Sequence, residues 1–214
     1  MSIFLNCLCA IAAIGLGSES VGAETGSSRV AELIGSGRVS VLVQPPQTKF
    51  AARLPKQQAG AAVLSPLLGG AMAAAKTGDA MREEHQIADP VVHFRDAFLQ
   101  KMGETHTIDF VLALEGGSED PSELRQSLST VFALEFKTVV WTLAVSGNQH
   151  RIEYWGRVRL IRLDSGKVVW KETCKFRTAD PERNKRTVED LLRDNAALLN
   201  QEFLAATDQC AAEL

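Results

Sequence analysis

The sequence predicts an α/β chain of the α+β sandwich kind. Its mixed or antiparallel sheet should end in a three-stranded meander and be covered by two or three helices, the last of them long. Three patterns carry that expectation. From Thr130 to Arg177 apolar and polar residues alternate, and the run is broken at Ser146-Gly147-Asn148 and at Asp164-Ser165-Gly166, as in antiparallel strands joined by tight turns. Asp89-Pro90 supplies an N-cap and a first helical residue ahead of Val91, Phe94, Phe98 and Met102, which recur at helical spacing. Thr187-Val188-Glu189-Asp190 resembles a capping box, and beyond it Val188, Leu191, Leu192, Leu199, Phe203, Ala206 and Cys210 share one side of a helix reaching about Ala212.

The 214 residues, 45% apolar and 23% charged, are enough for one folded core. The first element is not part of it. Residues 3–16 (IFLNCLCAIAAIGL) form an uncharged apolar run, followed by small and polar residues ending in Val21-Gly22-Ala23, whose small side chains suit a signal peptidase. We therefore expect a signal peptide at 1–23 and a single envelope domain at 24–214. A bilayer span needs nearer 20 apolar residues than this run provides. Cys7 follows Phe4-Leu5-Asn6 and Cys9 follows Asn6-Cys7-Leu8, neither of which has the small residues of a lipid-attachment site, so lipid anchoring is the minor alternative.

Cleavage after Ala23 leaves 23 basic and 25 acidic residues, and two cysteines. Cys174 and Cys210 allow one pairing, and an oxidising compartment favours it. Cys174 falls on the inward face of the last strand and Cys210 on the buried stripe of the last helix. Helix-on-sheet packing can therefore bring the sulfurs together.

The remaining elements follow in order. Residues 28–36 make a short helix with Val30, Leu33 and Ile34 on one side; Arg38–Val43 is a strand that Pro45-Pro46 ends, and a loop runs to about Lys56. The stretch 59–75 (AGAAVLSPLLGGAMAAA) is uncharged and rich in Ala and Gly, with Ser65-Pro66 as a helix start. We expect it to be a helix packed tightly on the sheet; a membrane element is the alternative, weakened by Pro66 and Gly69-Gly70. The helix opened by Asp89-Pro90 should end at Met102 with Gly103 as its C-cap. Thr107–Leu114 reads as a mostly buried strand and 116–123 as a solvated loop. In the meander, Ile152, Tyr154, Val158 and Leu160 face inward, together with Val168, Trp170, Cys174 and Phe176 of the next strand.

Catalytic chemistry finds little purchase in these residues. The chain has none of the GxSxG, SxxK, Walker-type or strand-following GxGxxG motifs, and His85, His93, His106 and His150 have no metal-ligand spacing. His106 and Asp109 are three apart, an offset that puts them on opposite faces of a strand. The expectation is a protein that is not an enzyme and carries no cofactor and no metal; a hydrolase using His106, Asp109 or Glu135 is the remote alternative. A net charge of −3 lacks the basic balance typical of nucleic-acid binding.

One surface pattern points to binding. Arg151, Arg157 and Arg159 alternate with Glu153 and Trp155, and the next strand adds Lys167, Lys171 and Lys175, so six basic residues would share the outward face with one acidic residue. Such a face suits anionic lipid head groups, lipopolysaccharide, a polyanionic wall polymer or an acidic partner protein. Basic residues also cover the solvent side of sheets and blunt their edges.

The C-terminal block resembles a group of small, uncharacterised Gram-negative cell-envelope proteins. The resemblance rests on Tyr154–Leu163 (YWGRVRLIRL), Asp164-Ser165-Gly166-Lys167-Val168, Cys174, Leu191-Leu192 with Asn195-Ala196-Ala197, and Cys210. Arg82 and the DPVVHFRDAF helix extend it over most of the mature chain. The order of elements is similar, more distantly, to the auxiliary lipoproteins of ABC-type envelope transport systems. The resemblance carries no activity with it; the leader segment, the lack of catalytic motifs and the basic strand face lead us to expect a periplasmic or outer-membrane-associated accessory protein with a binding or assembly role, whose partner is an envelope protein or an anionic lipid or polymer. A membrane-inserting or lipid-anchored protein acting through 59–75 is the alternative.

Overall fold

The computed structural model describes residues 26–54, 69–112, 120–146, 149–178 and 185–214, with the side chains of 69–73 and Pro121 left aside. Residues 1–23, Ser65-Pro66 and most of the 59–75 stretch lie outside the described residues.

Among the described residues the chain runs α1 (Gly26–Ile34), β1 (Arg38–Val43), β2 (Ala51–Arg53), α2 (Gly69–His85), α3 (Val91–Thr105), β3 (Asp109–Leu112), α4 (Pro121–Ser127), β4 (Phe132–Ser146), β5 (Gln149–Arg162), β6 (Lys167–Arg177) and α5 (Val188–Glu213). The strands form one mixed sheet in the order β3-β1-β4-β5-β6, with β2 also pairing β4. β1 runs parallel to β3 and β4, whereas β4, β5 and β6 are the antiparallel meander that the period-two pattern predicts.

Alternation decides which side of the sheet is covered. Val39, Val41 and Val43 of β1 line up with Phe132, Leu134 and Phe136 of β4, and across the meander with Val158, Leu160, Trp170 and Cys174. Helices α1, α2, α3 and α5 supply the other half of this core through Val30, Met81, Phe94, Phe98, Leu199 and Phe203. Edge-to-face ring pairs such as Phe94 with Phe136 and Phe94 with Tyr154, at centroid distances of 5.7 and 6.1 Å, knit the layers together. Gly156 sits between Tyr154 and Val158 because a Cβ there would come within 2.7 Å of the Phe94 ring.

Two bulges re-aim the strands. One at Val139 lets Phe136 and Trp141 both face the helices, and Trp141 then donates its indole N–H to the Thr48 carbonyl at 3.0 Å, tying the β1–β2 connection to the sheet. The second lies at Val169, opposite the Leu160–Ile161 step. It places Val168 beside Ile161 on the outward face, where Val168 is 44% exposed, and not on the inward face that simple alternation predicts. The same shift pairs Lys167 with Arg162 and moves it off the outward basic face.

Other differences have local causes. Of the predicted solvated loop at 116–123, residues 116–119 lie outside the described residues, and the rest belongs to α4, which opens on Asp120-Pro121; the Asp120 carboxylate accepts from the Ser122 N–H at 2.8 Å. Leu124 of α4 packs with Leu42, Ala133, Ile161 and Leu163 in a small second core on the outward side. β3, expected to be mostly buried, lies at the sheet edge and leaves Leu112 63% exposed. α3 passes through Gly103 and closes at His106, whose N–H bonds to the Met102 carbonyl at 2.9 Å. α5 has the predicted capping box of Thr187 and Asp190, but it is interrupted at Arg193–Ala196, where Asp194, Asn195 and Ala196 have φ of 52°, 57° and 55°. The turn re-phases the helix so that Ala196, Leu199, Phe203 and Cys210 stay buried.

The last of these reaches the sheet: Cys174 and Cys210 form a disulfide with their Cα atoms 5.4 Å apart.

Candidate functional site

The outward face of β4, β5 and β6 is built by strand register. Residues paired across an antiparallel ladder share a face, so Lys137, Arg157 and Thr173 make one cross-strand row and Glu135, Arg159 and Lys171 the next. Trp155 then lines up with Lys175, Glu153 with Arg177, and Arg151 with Ala144. Seven basic side chains therefore share this face with two carboxylates, Glu135 and Glu153.

Both carboxylates are engaged. Glu135 is fully buried; Arg159 donates to it through Nε at 2.9 Å and through Nη2 to the second oxygen, a two-pronged geometry that suits guanidinium and carboxylate. Arg157 adds a looser contact, Nη2 to Oε1 at 3.7 Å, and the Arg157 and Arg159 side chains are only 16% and 19% exposed. Glu153 accepts from Arg177 at 3.0 Å and from the Trp155 indole N–H at 3.1 Å, while the Lys175 ammonium sits 4.6 Å from the Trp155 ring centre.

The candidate residues thus divide into two groups. Arg157 and Arg159, with buried Lys137 beside them, are held around Glu135 and form the base of the face. Arg151, Lys171 and Lys175 are exposed, and among the described residues no carboxylate pairs with them, so theirs are the charges of this face left uncompensated there. Lys167, on the far side of the second bulge, does not belong to the group.

Residues considered for catalysis are not brought together. His106 caps α3, exposed Asp109 pairs with Arg38 at 2.7 Å, and Glu135 belongs to the arginine network. His85 lies at the end of α2, 4.0 Å from Glu84. Among the described residues no group of His, Cys, Asp and Glu could hold a metal ion.

Two buried polar clusters escaped the sequence reading. His150, wholly buried at the start of β5, contacts Glu202 of α5 at 2.9 Å, and Arg186 approaches the same carboxylate at 3.5 Å. The available signal was Glu202 interrupting the apolar stripe between Leu199 and Ala206. In the second cluster, the Asp89 carboxylate accepts from the Thr138 hydroxyl at 2.6 Å and from the Val91 N–H at 3.1 Å, with the buried Tyr154 hydroxyl nearby. Burial raises the Asp89 pKa from its ordinary 3.8, against those hydrogen bonds and the attraction of Arg82. Burial likewise drives the Tyr154 hydroxyl upward.

Asp89 borders a cleft of about 360 Å³ between the start of α3 and α5, shared with His93, Asp96 and Phe203. A carboxylate raised in the folded state contributes stability below its unfolded pKa and loses that contribution as pH rises through the folded value. Asp89→Asn, which keeps an acceptor for Thr138 and Val91, is therefore expected to gain stability relative to wild type as pH rises from about 4 to 8. Urea midpoints of the two proteins across that range check it; a constant difference would refute it.

No family model matches the chain, and no curated protein matches it. Solved structures do. A chain of the PelC dodecamer from Paraburkholderia phytofirmans is 12% identical, with 84% of this chain and 89% of that chain covered and a TM-score of 0.35. Lipoprotein GNA1162 from Neisseria meningitidis is 16% identical over 77% of this chain and 97% of that one, with a TM-score of 0.30. The LpoB C-terminal domain from Salmonella enterica is 11% identical over 70% and 91%, with a TM-score of 0.28. At this level of likeness they carry no functional argument.

Proposed function

We propose that the protein is a noncatalytic accessory protein of the bacterial envelope, a single domain of residues 24–214 after signal-peptide removal, that binds an anionic partner through the outward face of β5 and β6. The carrying observation is the charge balance of that face: both of its carboxylates are already paired, while Arg151, Lys171 and Lys175 are exposed with no carboxylate partner among the described residues. A chain with net charge −3 thus keeps a local positive field on one surface, which steers an anion to that side. The Cys174–Cys210 bond supports an oxidising, extracytoplasmic compartment. The separation of His106, Asp109 and Glu135 supports a role in binding rather than catalysis.

The geometry also dictates the test. Changing Arg157 or Arg159 would disturb the buried Glu135 network, so the informative variant is Arg151→Glu/Lys171→Glu/Lys175→Glu. It is expected to keep its thermal midpoint within a few degrees, as surface substitutions do. It should lose about tenfold or more in affinity for poly-glutamate or for phosphatidylglycerol vesicles, with a weaker salt dependence. Equal binding by variant and wild type would remove this face as the site, and wild type binding neither polyanion would overturn the reading.

A further inference from the structure

Among the described residues β6 is the last strand of the sheet and pairs only with β5, so one edge of its 11 residues carries backbone groups that no other described strand takes. An edge of this length is a template for another strand. Its side chains state which strand it can accept. Lys171, Lys175 and Arg177 stand on one side of β6 at two-residue multiples, with Lys171 and Lys175 about 13 Å apart along the strand. On the other side Trp170 and Cys174 are buried, Phe176 is half-buried and Glu172 is exposed.

A second copy of this chain meets its own charge in the register centred on Thr173. An antiparallel pair of β6 strands centred on Thr173 would set Lys171 directly against Lys175 of the other copy, and like charges opposed across a ladder destabilise it. An extended segment with Glu or Asp at alternate positions meets the opposite condition. Its carboxylates fall beside Lys171 and Lys175, and the residues between them lie beside exposed Glu172 and buried Cys174, where uncharged side chains add no like charge. The two lysines thereby favour an acidic strand over one that sets a cation against them.

We propose that the β6 edge receives an extended acidic segment of a partner protein as an added strand, with alternate carboxylates against Lys171 and Lys175. This rests on the anion-binding reading of the face and narrows it from anions in general to a strand-forming polypeptide.

The test uses the mature protein and the end-capped peptide Thr-Glu-Val-Glu-Val-Glu-Thr, alongside two N-methylated forms, one methylated on the Glu residues and one on the Val residues. Only one of these sets of amides can face β6, so one methylated peptide should lose about tenfold in affinity by calorimetry while the other binds like the parent. Amides of residues 171–175 should gain protection from hydrogen exchange on binding. Lys171→Glu/Lys175→Glu should abolish binding and Lys171→Arg/Lys175→Arg should retain it, which separates charge from misfolding. If both methylated peptides bind as well as the parent, charge alone acts and the strand proposal falls while the anion-binding reading stands. If phosphatidylglycerol vesicles bind and no peptide does, the partner is a lipid surface and the strand proposal falls. If the wild type binds none of these probes, both readings fall.

Discussion

Glu135→Ala is expected to lower the unfolding free energy by about 3–5 kcal/mol, the range for removing one partner of a buried ion pair. Glu135 is fully buried, and the Arg157 and Arg159 side chains are only 16% and 19% exposed, so neither guanidinium can turn wholly into water when the carboxylate goes. Lys137, 7% exposed in the neighbouring row, adds like charge. The penalty is that of cations left close together in a partly dry site, and it exceeds the net value of the pair itself. Glu135→Gln, which keeps shape and acceptor but not charge, should fall between the alanine variant and wild type. Replacing Glu135 and Arg159 together by apolar residues of similar volume should recover much of the loss. Urea unfolding of the series checks the ordering, and a Glu135→Ala variant as stable as wild type would show that the network is not closed to water.

Loss of the Cys174–Cys210 bond is expected to cost about 2–5 kcal/mol, the range for native disulfides of small exported domains. The cysteines are 36 residues apart, for which the loop-entropy model gives about 4 kcal/mol. The bond joins β6 to the end of α5, where Leu214 also accepts a backbone hydrogen bond from Ser27 of α1. Cys210→Ser should therefore loosen the end of α5 and the start of α1 before the meander. Hydrogen exchange in those segments, with melting measured with and without reductant, reads the effect. Wild type that melts at the same temperature in both conditions would refute it.

The two predictions rest on features of different legibility. Cys174 and Cys210 could be paired from sequence because the period-two pattern put one on the inward face of a strand and the helical stripe put the other on a buried line. The Glu135 network could not. Its burial depends on which side of β4 faces Arg157 and Arg159, and on how closely the guanidinium groups lie over it, which are properties of cross-strand register. Lys167 and Val168 exchanged faces for the same reason: the bulge at Val169 adds a residue to one strand only, and the one-residue shift turns the side chains before it to the opposite side relative to those after it. α4 was a different kind of miss. Asp120-Pro121 has the same start signal as Asp89-Pro90, but its helix is too short to show a stripe.

Periodicity and capping chemistry are local properties, so the sequence by itself determined the α+β class, the strand β1, the meander, the capped start of the long last helix and the cysteine pair. Which basic residues are spent on buried carboxylates and which remain at the surface, which strand becomes an edge, and which polar groups meet across the core were decided only by the tertiary structure. These outcomes depend on bulges and on contacts between residues far apart in the chain, such as His150 with Glu202 and Asp89 with Thr138. No local pattern encodes the alignment that brings them together, because it forms only when the helices close over the sheet.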